Sequence, residues 1–150
     1  MMNHRTRSYG PLMGALGLAG AVAGCGDGTG DLPAFDSLEA TYQAVDEIVD
    51  CSADAPEPAV KFPGSGKDTG ESVMCTSTVE VLWFDNEEAR EEVYELLADT
   101  AGAAGSVYFV EGRNWFVVDG AEVMVGAVPE RRIDMEQLAD ALGARYTVEQ

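Results

Sequence analysis

Residues 72–100 read SVMCTSTVEVLWFDNEEAREEVYELLADT, and their pattern predicts a strand followed by a helix. From Ser72 to Phe84, branched and aromatic residues alternate with other residues at a period of two, which predicts a strand. Asp85 begins a segment in which apolar residues recur at helical spacing up to about Thr100, so a helix follows the strand directly. The glutamates of this segment predict a solvated helix face, with a cation site as the alternative.

The flanking sequence predicts two further helices and several short strands. Asp36 to Asp50 carries one apolar helical face, and Asp134 begins a last helix that Gly143 ends. The remaining segments are predicted as a loop over 52–71, a hairpin of strands at 106–111 and 114–119, a third strand at 121–128 and a short strand at 146–148. The order α-β-α-β-β-(β)-α predicts an α+β domain. Its sheet is antiparallel or mixed, with three to five strands and helices packed on one face.

The amino-terminal residues have the layout of a secretory signal. Arg5 and Arg7 precede a run from Ser8 to Gly26 that contains no charged residue. The apolar part of this run is shorter than the about 20 residues of a membrane span, and it is rich in glycine. A cleaved signal is therefore favoured, and an uncleaved anchor is the alternative.

A cysteine preceded by small residues ends the apolar run. Residues 22–25, VAGC, resemble the lipobox of bacterial lipoproteins, in which the thiol accepts a diacylglyceryl group and a peptidase cuts before it. The resemblance implies a signal peptide at 1–24, a lipidated Cys25 with a flexible tether at 25–34, and a single domain at 35–150. It also implies attachment to the extracytoplasmic face of the cell membrane through the covalent diacylglyceryl and N-acyl lipid. An ordinary signal that ends in a cysteine is the alternative.

The number of cysteines agrees with the attachment of lipid to Cys25. The chain has three cysteines, and lipid on Cys25 leaves Cys51 and Cys75 as a pair. Outside the cytoplasm such a pair persists as a disulfide. It would close a loop of about 25 residues and contribute on the order of 3–4 kcal/mol in the chain-entropy model. Two free thiols that take part in redox chemistry or bind a metal ion are the alternative, although their spacing is not that of a Cys-x-x-Cys site.

The chain is strongly acidic. It has 27 Asp and Glu residues against nine Lys and Arg residues, and its net charge is −18. Cleavage would remove Arg5 and Arg7 and leave a net charge of about −20. Such a surface repels nucleic acid and anionic lipid head groups, so we predict no nucleic-acid partner and contact with the membrane only through the lipid. Solubility explains the acidity, and attraction of a basic partner is the alternative.

Residues suited to catalysis are scarce. The single histidine, His4, lies in the predicted signal, which excludes Ser-His-Asp and Cys-His catalysis and histidine-ligated zinc from the mature chain. We therefore predict no enzyme, no catalytic residue, no metal and no cofactor apart from the lipid. A small enzyme that uses two converging carboxyl groups in an apolar cleft is the alternative.

Two short motifs in the second half resemble a group of bacterial proteins. Residues 112–115, GRNW, and 139–143, ADALG, are similar to the C-terminal part of small actinobacterial lipoproteins, which mostly have no known function. The resemblance implies a location and a fold without an activity.

Aromatic residues of the predicted sheet suggest where a partner would bind. Side chains that point away from the core form a contact patch if they are uncovered, and Tyr108, Asn114 and Trp115 are the predicted contact residues. Packing in the core is the alternative role of these aromatic residues. The predicted function is a lipid-anchored module that binds an envelope protein or cell-wall component, with a structural lipoprotein without a ligand as a further alternative.

Overall fold

The structure, a computed structural model, describes residues 31–51, 60–64, 67–102, 104–126 and 131–150. The predicted signal peptide, Cys25 and the tether up to residue 30 lie outside these ranges. The described residues form three helices and six strands. In chain order the elements are α1 (Leu38–Val49), β1 (Val60–Gly64), β2 (Lys67–Met74), β3 (Val79–Phe84), α2 (Glu87–Ala98), β4 (Val107–Glu111), β5 (Trp115–Asp119), α3 (Met135–Leu142) and β6 (Arg145–Glu149).

The strands form one antiparallel sheet in the spatial order β1-β2-β3-β5-β4-β6. This arrangement confirms the α+β class and the antiparallel sheet. The sheet has one strand more than the predicted upper limit, because the segment 52–71 contains β1 and the first part of β2. The segment 72–84 is a hairpin rather than one strand. The Thr76 hydroxyl accepts the amides of Thr78 and Val79 and so holds the turn between β2 and β3.

The helices lie on both faces of the sheet, whereas the sequence analysis places them on one. Helices α1 and α3 pack on the face that presents Val81 and Val117. Helix α2 packs on the other face, which presents Leu82 and Phe116. All four of these strand residues are fully buried. The central strands are therefore apolar on both faces, and both faces need a cover.

The helices begin and end at residues that cap them. The side chains of Ser37, Asn86 and Asp134 accept amide hydrogen bonds in the first turns of α1, α2 and α3. Gly143 ends α3 with a left-handed backbone, as predicted. The three predicted helices are thus confirmed.

The segment after β5 differs from its prediction as a third strand of the hairpin region. Residues 121–126 form turns, and residues 127 and 128 lie outside the described part of the chain. The Asp119 carboxylate accepts the Ala121 amide, and the Gly120 carbonyl accepts the amides of Val123 and Met124. These local bonds engage the backbone within the loop, so it does not extend the sheet. The short strand predicted at 146–148 does form, as the centre of β6.

A disulfide joins Cys51 to Cys75, as predicted. The two Cα atoms are 4.7 Å apart, and both side chains are buried in the core between α1 and the sheet. Cys51 lies two residues after α1, and Cys75 follows β2 directly. The bond therefore pins the end of the first helix to the β2–β3 turn.

The candidate sites lie at two opposite ends of the sheet. At the first, here called the Thr78 end, β3 and β4 begin and β5 ends. At the second, the Gly112 end, β4 turns into β5. The five residues of β5 separate the two ends by about 15 Å, at roughly 3.3 Å per residue.

Candidate functional site

The predicted contact residues Asn114 and Trp115 bind the chain's own amino-terminal arm, defined as residues 33–35. Trp115 is fully buried, and its indole nitrogen donates a 2.9 Å hydrogen bond to the Pro33 carbonyl. The Asn114 side-chain amide donates to the Phe35 carbonyl at 2.8 Å and accepts the Phe35 amide at 3.1 Å. A partner patch centred on Trp115 needs an exposed ring, so this part of the prediction is corrected. The ring belongs to the core.

We call the contacts that hold residues 33–35 on the sheet the arm clamp. Two further hydrogen bonds and a ring contact belong to it. The Trp83 indole donates to the Phe35 carbonyl at 2.8 Å, and the Arg113 amide donates to the Pro33 carbonyl at 2.9 Å. The ring centroids of Phe35 and Trp115 lie 5.3 Å apart. Pro33, which belongs to the segment predicted as tether, is thus hydrogen-bonded to the sheet.

Gly112 explains the first position of the GRNW motif. A Cβ atom at Gly112 would collide with the Trp115 indole and come within 2.7 Å of the Pro33 carbonyl oxygen. Any larger residue would displace the ring that holds the arm. Gly112, Asn114 and Trp115 therefore act together within the molecule, at the Gly112 end of the sheet.

Tyr108 lies at the opposite end of the sheet and is half-buried. Its hydroxyl donates a 2.6 Å hydrogen bond to the Glu122 carboxylate, which also accepts the Ser106 amide. The bond to Glu122 raises the pKa of the Tyr108 hydroxyl, and the same bond lowers the pKa of the Glu122 carboxyl. The structure therefore separates Tyr108 from Asn114 and Trp115, and the three do not form one surface.

A buried ion pair joins α2 to the sheet. Arg90 and Glu111 are each about 1% exposed, and Nη2 of Arg90 donates to the Glu111 carboxylate. The same carboxylate accepts Arg145 at 2.9 Å and the Thr147 hydroxyl at 2.6 Å. The Arg90 guanidinium also lies 5.5 Å from the centre of the Tyr94 ring.

The pKa of the Glu111 carboxyl argues against an acid catalyst at this position. Burial raises this pKa, but the hydrogen bonds from Arg145, Thr147 and Arg90 outweigh burial and leave the pKa below its ordinary value. A general acid at neutral pH needs the opposite shift. The pair holds α2 on the sheet. The sequence gives one sign of this ion pair, which is that Arg90 is the only basic residue between Lys67 and Arg113.

An apolar cavity of about 330 Å³ opens on the α2 face at the Thr78 end. Its walls come from the ends of β2 and β5, the start of β4, the last turn of α2 and the loop after β5. The apolar lining residues are Met74, Leu97, Val107, Val118, Val123 and Met124. The volume lies at the low end of the range of about 300–1,000 Å³ that small-molecule sites occupy. Two depressions beside Ile133 are smaller, at about 230 and 240 Å³.

Three polar residues also line this cavity, namely Thr78, Glu80 and Thr100. Thr78 is 3% exposed, and its hydroxyl has no hydrogen-bond partner among the described residues. Glu80 is the one charged residue among the described residues that line the cavity. Thr78 and Glu80 are two positions apart along an extended segment, so their side chains lie on the same face of the sheet.

The rim of the cavity is apolar and exposed. Met124 lines the cavity and is 44% exposed. An open concavity with mostly apolar walls is typical of a small-molecule site.

Other kinds of site are not evident in the part of the chain that the structure describes. No group of three or more His, Cys, Asp or Glu residues is placed there to hold a metal ion. No described helix is long and apolar enough to cross a membrane. No protein-family model, curated protein or solved structure matches the chain.

Proposed function

We propose that this chain is a lipid-anchored protein on the extracytoplasmic face of the cell membrane, whose domain binds a ligand in the apolar cavity. The anchor is supported by the resemblance of residues 22–25 to a lipobox. The disulfide between Cys51 and Cys75 supports an oxidising compartment, since such bonds persist there and are rare in the cytoplasm.

The position of the arm clamp is compatible with display of the cavity away from the anchor. Pro33 lies eight residues after Cys25 and is bound at the Gly112 end of the sheet. The cavity lies at the Thr78 end, about 15 Å away along the strands. The first described attachment of the arm, at Pro33, is therefore separate from the residues that line the cavity.

The cavity is the observation that carries the binding function. Six apolar side chains line this open concavity of about 330 Å³ and leave apolar surface in contact with water. A ligand with an apolar part would cover that surface, and removal of apolar surface from water is favourable. We therefore place the ligand site here and not at Trp115.

The anchor is tested by substitution of Cys25. Cys25→Ser should lose incorporation of labelled palmitate, and it should either leave the membrane fraction or keep its uncleaved signal. Gly24→Ala is the matched control, because it keeps a small residue beside an intact thiol. A Cys25→Ser variant that is cut and anchored as the control is would refute the lipid anchor.

Ligand binding is tested with the neutral apolar dye N-phenyl-1-naphthylamine, which fluoresces in apolar sites. The whole chain carrying Cys25→Ser has no lipid and needs no detergent, so the dye has no micelle to enter. We expect saturable binding, and we expect Val123→Phe to abolish it by filling the cavity. Leu96→Phe is the matched control, because Leu96 is 67% exposed and does not line the cavity. Equal dye binding by the two variants, both folded by circular dichroism, would exclude the cavity as the site.

A further inference from the structure

The polar groups of the cavity specify the charge of its ligand. Glu80 is the one charged side chain among the described residues of the wall, and the other side chains of the wall are apolar or uncharged. A ligand that has an apolar part and a group that interacts with a carboxylate fits both parts of this lining.

Two sources of negative potential lie at the described wall. Glu80 lines the cavity on the face of the sheet that α2 covers. Helix α2 ends at Ala98, and Leu97 and Thr100 belong to the cavity wall, so the negative end of the helix dipole lies at this wall. The net charge of the whole chain, −18, has the same sign.

The described lining residues include neither lysine nor arginine. A carboxylate or phosphate head group would meet repulsion from Glu80 without a counter-charge from these residues, whereas an ammonium group would find an acceptor in the Glu80 carboxylate. At an effective dielectric constant of about 20, unit charges separated by 4–6 Å interact strongly enough to decide between the two signs.

We propose that the cavity binds a single-chain amphiphile with a cationic head group, with the alkyl chain against Leu97, Val107 and Val118 and the ammonium group at Glu80. This proposal rests on the proposed function, because it assumes that the apolar cavity is the ligand site. The small volume favours one alkyl chain over two. The acidic Glu80 distinguishes the ligand from a fatty acid, which would otherwise fit the same apolar walls.

The test compares three ligands that share one alkyl chain. Decylamine, decanol and decanoate, each below its critical micelle concentration, are titrated against bound N-phenyl-1-naphthylamine on the whole chain carrying Cys25→Ser. We expect decylamine to displace the dye most strongly, decanol less, and decanoate at least tenfold more weakly than decylamine. Glu80→Gln should remove most of the difference between decylamine and decanoate.

The outcomes separate this proposal from the proposed function. Failure of the dye to bind the unsubstituted cavity would refute the function itself. Dye binding that Val123→Phe abolishes, combined with displacement by decanoate as strong as that by decylamine, would overturn the cationic ligand and leave the cavity as the site. Dye binding that none of the three amphiphiles displaces would also overturn it and point to an apolar peptide segment instead.

Discussion

Replacement of Glu111 by glutamine tests how far the buried ion pair holds α2 on the sheet. The side chain keeps its size but loses its charge. The N–H group of the new amide then faces the hydrogen-bond donors that the carboxylate had accepted. Glu111 accepts hydrogen bonds from Arg90, Arg145 and Thr147 at a position that is about 1% exposed. The variant leaves Arg90 buried and charged without its partner.

The magnitude follows from the burial of both partners. Removal of one member of a buried pair typically costs about 3–5 kcal/mol, since the remaining charge stays desolvated. Arg90 has few other partners to stabilise its charge in this variant. Its Nε atom has no hydrogen-bond partner among the described residues, and its other ion pair is with the exposed Glu91. Against a typical stability of about 5–15 kcal/mol, the loss is a large fraction of the total.

The assay is urea unfolding of the whole chain at pH 7, followed by far-UV circular dichroism. The matched control is Glu91→Gln, which removes the surface partner of the same arginine at a side chain that is 58% exposed. The control should cost no more than about 1 kcal/mol. The double variant Arg90→Leu/Glu111→Leu should be less destabilised than Glu111→Gln, because it leaves no charge buried on α2. A Glu111→Gln variant within about 1 kcal/mol of Glu91→Gln would refute a desolvated pair that holds the helix.

Three further predictions concern the pH dependence of this ion pair, the disulfide and the arm clamp. The pKa of Glu111 is lower in the folded state, so its stabilisation is present above the unfolded pKa of about 4.3 and is lost as pH falls through the folded pKa. The stability gap between Glu111→Gln and the unchanged chain should therefore narrow in acid, and a constant gap would contradict this. Replacement of Cys51 and Cys75 by serine opens a loop with a sequence separation of 24 and should lower the unfolding free energy by about 3–4 kcal/mol. A loss below about 1 kcal/mol would show that the loop closure contributes little. Asn114→Ala should speed hydrogen exchange of the Phe35 amide, which the Asn114 side chain accepts. Arg113→Ala should not, because Arg113 holds the arm through its backbone, and equal rates in both variants would refute the clamp.

Periodicity predicts the parts of this fold that depend on local sequence. The helices at 38–49, 87–98 and 135–142 lie where apolar spacing and capping residues place them. The β2–β3 hairpin is hidden in the sequence because alternation continues across the turn, which the Thr76 hydroxyl stabilises without glycine or proline. Strand β1 is hidden for the opposite reason, since proline and glycine around 56–66 are typical of a loop.

Periodicity does not encode the contacts that place helices on both faces of the sheet, nor those that form the cavity. Helix α2 is rich in glutamate and has a narrow apolar side, yet it buries Ala89 and Arg90 on the second face of the sheet. The cavity draws its walls from residues between 74 and 124 that are distant in sequence. Only the packing of the whole domain brings Leu97 and Val118 to one surface, so neither residue carries a sequence signal of its own.

The arm clamp gives the GRNW motif a physical role that suits an anchored protein. If Cys25 is held in a membrane, any load on the tether reaches the domain first at Pro33. There the indole of Trp115 and the backbone of Arg113 hold one carbonyl, while Trp83 and Asn114 hold the carbonyl of Phe35. These bonds share the load between two strands, β3 and β5, and the turn before β5, so no single hydrogen bond carries it alone. A soluble domain gains only stability from this clamp, whereas an anchored domain also gains a fixed point from which the cavity at the far end is displayed.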